Sequence, residues 1–226
     1  GLGVVGSYVV VGLARAGVGR LRLVDFDTVE TTNINRQLYA LDSTCGRPKH
    51  EVARDRVLDI NPDCQVEALG LFVEAGTLGP VLAGSPDAVV DAIDALGPKI
   101  ELLAAATRRG LLLVSSMGAA RRTDPAAVRV APLRQSHHCP LARRVRQQLR
   151  RLHGIDGDFL CVHSVEPRPQ RPAASAAADG PPQPVHGTSA AVDHAARGGP
   201  RRPLGSLPTV TGIFGLTAAH TVLQLL

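Results

Sequence analysis

The chain has no tryptophan, two tyrosines and four phenylalanines, so aromatic residues make up only 3% of its 226 residues. A core must therefore be built from Val, Leu, Ile and Ala, and an apolar fraction of 44% is enough to supply one. The few aromatics are also too scattered to form a base-stacking platform for nucleic acid. Lysine is as scarce: among 25 basic residues only Lys49 and Lys99 are lysines, and both lie beside the motifs described below. The cysteines, Cys45, Cys64, Cys139 and Cys161, form no C-x-x-C pair, which argues against a zinc site built from two such pairs. No run reaches the roughly 18 continuous apolar residues that span a bilayer, and no signal peptide opens the chain. Nothing suggests a secreted disulfide framework, so the expectation is a reduced, cytoplasmic protein without a membrane partner. The first residue is a motif glycine instead of Met, and the strand that should lead into it is missing; the expectation is a fragment of a longer protein.

What is present is an ordered set of motifs. Gly1-Leu-Gly3-Val-Val-Gly6 comes first, then Asp25-Phe-Asp27, Asn33-Ile-Asn35-Arg36-Gln37, Lys49, and Asp91-Ala-Ile-Asp94. A net charge of +5 and a pI near 9.5 lean towards a polyanionic partner.

Residues 4–17 read as a helix capped by Gly17, followed by a short strand over 21–25. A helix is expected over 47–60, ending at the Asn61-Pro62 breaker, and another over 98–109. Strands are expected at 66–70, 88–91, 111–115 and 128–133. This alternation predicts an α/β, Rossmann-like fold with a mostly parallel sheet and helices on both faces. Residues 140–152 read as a basic amphipathic helix. The stretch 167–203 holds eight of the seventeen prolines among Ala, Gly and Ser, and is expected to be a flexible loop because it cannot bury enough apolar surface. Residues 204–226 end in an apolar helix that packs back, so 1–226 is read as one domain.

Gly1, Gly3 and Gly6 match a turn whose backbone approaches phosphate at a helix N-terminus. Asp25, 24 residues after Gly1 and at a strand end, suits a ribose hydroxyl. The turn and Asp25 alone do not separate NAD from ATP; Arg36 and Lys49 do. A triphosphate attacked at its α-phosphorus develops charge on the transferring and leaving oxygens, and two cations stabilise it. Arg grips two oxygens in its planar fork, and Lys is a compact point charge. Asp94 is a candidate Mg²⁺ ligand, since Mg²⁺ prefers one or two carboxylates plus phosphates. Asp91 fills that role instead, or merely ends its strand. Asp27 and Asn33 are candidates to orient the loop carrying Arg36, with Asn33 also in reach of phosphate. Arg143, Arg144, Arg146, Arg150 and Arg151 decorate a helix whose apolar positions Leu141, Val145, Leu149 and Leu152 share a stripe. They are either a solvated face or contacts to an RNA backbone.

These residues resemble the ThiF/MoeB/HesA superfamily of adenylating enzymes, over residues 1 to about 120. Within it the chain is most similar to the tRNA threonylcarbamoyladenosine dehydratases, through Asn33-Ile-Asn-Arg-Gln37, Asp91 to Lys99, the Pro140-Leu-Ala helix, Cys161-Val-His-Ser-Val-Glu166 and Gly212-Ile-Phe-Gly215. The resemblance implies Asp25 on the ATP ribose, Asn33 and Arg36 on the phosphates, Lys49 on the α-phosphate and Asp94 on magnesium. Val4 departs from the pattern, standing where the family usually has a second consecutive glycine. The superfamily often contributes an arginine across a homodimer from the segment before the turn, and a homodimer and a sulfur-relay protein partner are further implications. The function implied is ATP-dependent cyclisation of threonylcarbamoyladenosine in tRNA through adenylation of its carboxylate. The alternative is adenylation of the C-terminus of a ubiquitin-like or sulfur-carrier protein; a non-catalytic nucleotide-binding module and an NAD oxidoreductase come after it.

Overall fold

The apolar runs become strands and the periodic segments between them become helices in the computed structural model, which describes residues 1–167 and 205–226. Helix α1 (Gly6–Arg15) follows the glycine turn, and Gly17, at φ +82°, ends it. Strand β1 (Arg20–Val24) leads through a loop to α2 (Lys49–Ile60) and β2 (Gln65–Leu69). A short α3 (Leu78–Val81), β3 (Ala88–Asp91), α4 (Leu96–Arg108) and β4 (Leu112–Ser116) follow. Then come β5 (Val128–Pro132), α5 (Pro140–Gln148), β6 (Leu160–Ser164) and α6 (Pro208–Leu225). The expected flexible loop 167–203 lies, but for Pro167, outside the described residues.

Strands β1 and β2 pair in parallel, Arg20 opposite Gln65 through Val24 opposite Leu69. The other four lie in the order β3-β4-β6-β5, all parallel except β5, which runs antiparallel to β6. The first residues of the chain bridge the two sheets. Gly1 N donates to Val24 O at the end of β1 (3.0 Å), and Gly1 lies against Ala92 just past β3.

Side-chain alternation along a strand sends neighbours to opposite faces. Leu113 and Cys161 join a core with α4 and α5, while Val114 and Val162 join one with α1 and α6. Both faces of the sheet are therefore buried, as a parallel sheet requires. Helices α1 and α6 touch through Gly215, where a Cβ would come within 2.6 Å of Val5 O. A third apolar cluster sits between α1, β1 and α2, around Leu23, Val52 and Val57.

Two expectations need correcting. The strand β6 carries too little distinctive pattern, only Leu160-Cys-Val-His-Ser164, and was not expected; it is recognised by its pairing between β4 and β5. The basic helix is not α-helical to residue 152, because Leu149–His153 form a π-type turn closed by Gly154 at φ +68°. That wider turn rotates Leu152 out of the apolar stripe, leaving it 57% exposed, while Val145 and Leu149 are fully buried.

Candidate active site

The carboxyl ends of β1 and β3 bring four separated pieces of sequence together. Asp25 follows β1 and is 8% exposed; its Oδ2 accepts the Leu2 N–H at 2.6 Å and its Oδ1 the Asp27 N–H at 2.9 Å. The carboxylate is thus tied to the glycine turn. Glycines in that turn serve two purposes. A Cβ on Gly6 would lie 1.9 Å from Gly1 O, because the turn closes on itself, and one on Gly1 2.9 Å from Ala92 O, because the connection after β3 packs against it. A Cβ on Gly3 would meet nothing nearer than Gln37 Nε2 at 3.8 Å, so the space above Gly3 is open to a ligand. No side chain caps the N-terminus of α1; the Ser7 and Tyr8 N–H groups donate to Gly3 O and Val5 O, and the positive dipole end remains for an anion. Val4 packs against the apolar cluster of α1, β4 and α6, so its bulk has a place in the core.

Lys49 is the first residue of α2 and only 6% exposed. Its Nζ donates to Asp27 Oδ2 at 2.9 Å, and its own N–H to Asp27 O at 2.9 Å, which fastens the start of α2 to the end of β1. Asn33 is buried at 6% in the intervening loop, where its Oδ1 accepts the Glu30 N–H at 3.4 Å and its carbonyl accepts the Arg36 and Gln37 N–H groups. Its side chain therefore shapes the loop. Arg36 is half-buried and donates through Nη1 to Thr32 O and Asn35 Oδ1, both at 2.8 Å. The loop is pinned to α1 by the fully buried Ser7, whose Oγ accepts the Leu38 N–H at 3.3 Å.

The two carboxylates of Asp91-Ala-Ile-Asp94 have different surroundings. Asp91 is fully buried; Oδ2 accepts from the Lys99 ammonium and from Ser115 Oγ at 2.5 Å, and Oδ1 from the Ile93 N–H at 3.0 Å. Asp94, three residues on, is exposed. Ala92, just past Asp91, lies against Gly1, so this connection borders the phosphate turn. Of the two, Asp94 is the solvent-exposed carboxylate, whereas both oxygens of Asp91 accept hydrogen bonds in the interior.

The remaining candidates lie elsewhere. Arg143, Arg144, Arg150 and Arg151 are exposed, with Arg150 paired to Asp156 at 2.8 Å. Arg146 departs from its expected place on that basic face: it turns inward, donating to Leu133 O at 3.1 Å and Ser136 O at 2.8 Å, because α5 packs directly over the 133–136 turn. Cys139 and Cys161 are buried, and burial pushes the Cys161 thiol up to about 12, so neither is presented as a nucleophile. A groove of about 540 Å³ lined by Ala14, Gly17, Gly19 and Asn61 lies at the opposite end of β1, away from this chemistry. Gln37, quoted in the sequence motif without a role, lies beside Gly3. Ser7 and Ser115 are not singled out by the sequence: Ser7 has only its place after Gly6 as a signal, and Ser115 has no local one.

Comparison with known proteins gives this geometry its context. The tRNA threonylcarbamoyladenosine dehydratase of Bacillus subtilis (strain 168) is 45% identical over 166 residues, 74% of this chain and 65% of the relative. The enzyme of the same name from Escherichia coli (strain K12) is 37% identical over 155 residues, 69% of this chain and 58% of the relative. The chain thus spans less than two thirds of the length of either. The E. coli dehydratase solved in complex with ATP superposes with a TM-score of 0.82 at 30% identity, covering 100% of this chain and 82% of that one. The family model for the ThiF family matches residues 1–226, and by that match the chain belongs to the ThiF family.

Proposed function

We propose that this chain carries the ATP-dependent step of a tRNA threonylcarbamoyladenosine dehydratase. The observation that carries the reading is the meeting of an open Gly3 turn, Asp25, Lys49 and Asp94 at one end of the parallel strands. The names of the relatives, and the ATP and AMP complexes of the E. coli dehydratase, support it.

In this reading Asp25 holds the ribose, and the turn with the N-terminus of α1 receives the phosphates. Lys49 exchanges Asp27 for the α-phosphate, and Arg36 swings from its loop carbonyl to the β- and γ-phosphates. Asn33 holds the loop in shape. A carboxylate oxygen of the threonyl group attacks the α-phosphorus and pyrophosphate leaves. A nucleophile within the same modified base then attacks the activated carbonyl, expels AMP and loses a proton, which closes a ring with net loss of water. The protein contributes positioning and positive charge where negative charge develops. Mg²⁺ fits the donor set, with Asp94 as the protein ligand, and when bound it would neutralise phosphate charge. Exposed Arg143, Arg144, Arg150 and Arg151 give tRNA a basic face. A homodimer and a cytoplasmic location belong to the same reading; exposed Ile213, Leu216 and Leu223 on α6 are apolar surface that a second copy would cover.

The test uses the full-length protein with ATP, Mg²⁺ and tRNA bearing threonylcarbamoyladenosine, followed by mass analysis of the digested nucleosides. The expected result is ATP-dependent loss of the mass of one water. Unchanged nucleosides, with pyrophosphate exchange only when a small carrier protein is supplied, would replace this reading with carrier activation.

A further inference from the structure

The Asp91–Lys99 pair has no role in the steps above, yet it is the most deeply buried ion pair among the described residues, both side chains being wholly inaccessible. Removing two charges from water is costly, and such a pair contributes little net stability compared with apolar residues of the same shape. Its position suggests what it does. Lys99 comes from the first turn of α4, Asp91 from the end of β3 and Ser115 from the end of β4. Their contacts converge on one carboxylate, whose other oxygen accepts the Ile93 N–H at 3.0 Å. The short connection Ala92–Ala95 is therefore held at its start by Asp91 and at its end by the helix that carries Lys99. That connection does two things: Ala92 lies against Gly1 of the phosphate turn, and Asp94 projects from it into solvent.

We infer that Lys99, Asp91 and Ser115 form a positioning element that presents Asp94, and not Asp91, to the metal of a metal–nucleotide complex. Lys99 and Ser115 occupy Asp91 Oδ2, so two carboxylates three residues apart do not compete for one cation. The fixed turn sets where the exposed Asp94 carboxylate stands relative to the phosphates. This rests on the reading of Asp94 as the metal ligand. Groups of this kind, which orient a ligand without touching the metal, typically govern about 10- to 100-fold in metal affinity.

The test measures binding in the full-length protein without turnover: ATP affinity by calorimetry with and without Mg²⁺, and Mn²⁺ affinity of the ATP complex by electron paramagnetic resonance. The double variant Asp91→Asn/Lys99→Met removes both charges together and avoids a lone buried ion. It is expected to keep its thermal transition and its metal-free ATP affinity within about 2-fold, while Mn²⁺ affinity falls at least about 10-fold. Ser115→Ala, which changes no charge, is expected to lose a smaller part of the same affinity. Asp94→Asn is the control and should lose it all. Full metal affinity in the double variant, with Asp94→Asn defective, overturns the positioning role alone. Full affinity in Asp94→Asn, or no metal dependence in the unaltered protein, overturns the metal reading and this inference together. Should the double variant not fold, Ser115→Ala decides, and undiminished Mn²⁺ affinity there is the refuting result.

Discussion

The ends of β1 and β3 each hold a lysine paired with an aspartate, and the two pairs are in opposite states. Lys49 meets Asp27 at 2.9 Å with 32% of the Asp27 side chain exposed, whereas Lys99 and Asp91 are sealed from solvent. Water at the rim lowers the barrier to exchanging one anion for another, so Lys49 can give up its carboxylate for a phosphate. In the interior any exchange would leave a bare charge, so Lys99 cannot. In the proposed function the same residue types thus serve as a ligand-binding cation in one place and, by the further inference, as a fixed brace in the other. Solvent access, not chemistry, divides the roles.

The sharpest way to break this comparison is to replace each lysine by methionine. Lys99→Met strands a buried carboxylate and is expected to cost about 3–5 kcal/mol. That corresponds to a fall of roughly 10 °C in Tm by calorimetry. Lys49→Met should cost about 1–3 kcal/mol, less than Lys99→Met because Asp27 keeps contact with water, yet lower turnover about 10²- to 10³-fold. Equal stability losses in the two would refute the division. Adding Asp91→Asn to Lys99→Met should restore most of the lost Tm.

The glycine turn offers a second contrast of the same kind. Gly6→Ala forces a Cβ to 1.9 Å from Gly1 O, so the turn must open, at a cost of about 1–3 kcal/mol and with loss of ATP binding. Gly3→Ala meets only Gln37 at 3.8 Å and should leave stability within about 0.5 kcal/mol while weakening ATP binding. Denaturant titration and nucleotide binding measured side by side separate the two. A stable Gly6→Ala that binds ATP normally would contradict the closed turn.

The smallest expected effect is in pH dependence. Burial, reinforced by the neighbouring His137, lowers the pKa of His163 below its ordinary 6.5. The unfolded chain therefore takes up this proton more readily than the folded one, so stability falls as pH drops below about 6.5 and is unaffected above it. His163→Phe should flatten the acid side of the stability profile, measured by denaturant titration across pH. A profile steeper in the variant than in the parent would show that the depression has been assigned to the wrong group.

Much of this was readable from residue order. The strand from Leu21, the helix ending before Asn61-Pro62 and the strand Ala88–Asp91 are found within a residue or two of where local pattern predicts them, because apolar periodicity and breaker residues act over a single turn or strand. Gly1, Asp25 and Lys49 could be grouped in advance because each sits where a strand gives way to a turn or helix, and parallel topology gathers those ends. The difficulty began where burial depends on a distant neighbour. Arg146 looks like its exposed neighbours until the 133–136 turn is folded beneath it, and Leu152 belongs to the apolar stripe only if the helix stays regular.

By itself, then, the amino-acid sequence determined the alternation of strands and helices, the glycine turn and the residue types gathered beyond the strand ends, since these follow from backbone geometry and side-chain chemistry over short distances. Tertiary structure alone decided which carboxylate of Asp91-Ala-Ile-Asp94 faces solvent, which lysine–aspartate pair is sealed from it, and where β6 inserts. Those outcomes depend on the dielectric and the hydrogen-bond donors that residues far along the chain bring to a site, and no local pattern encodes them.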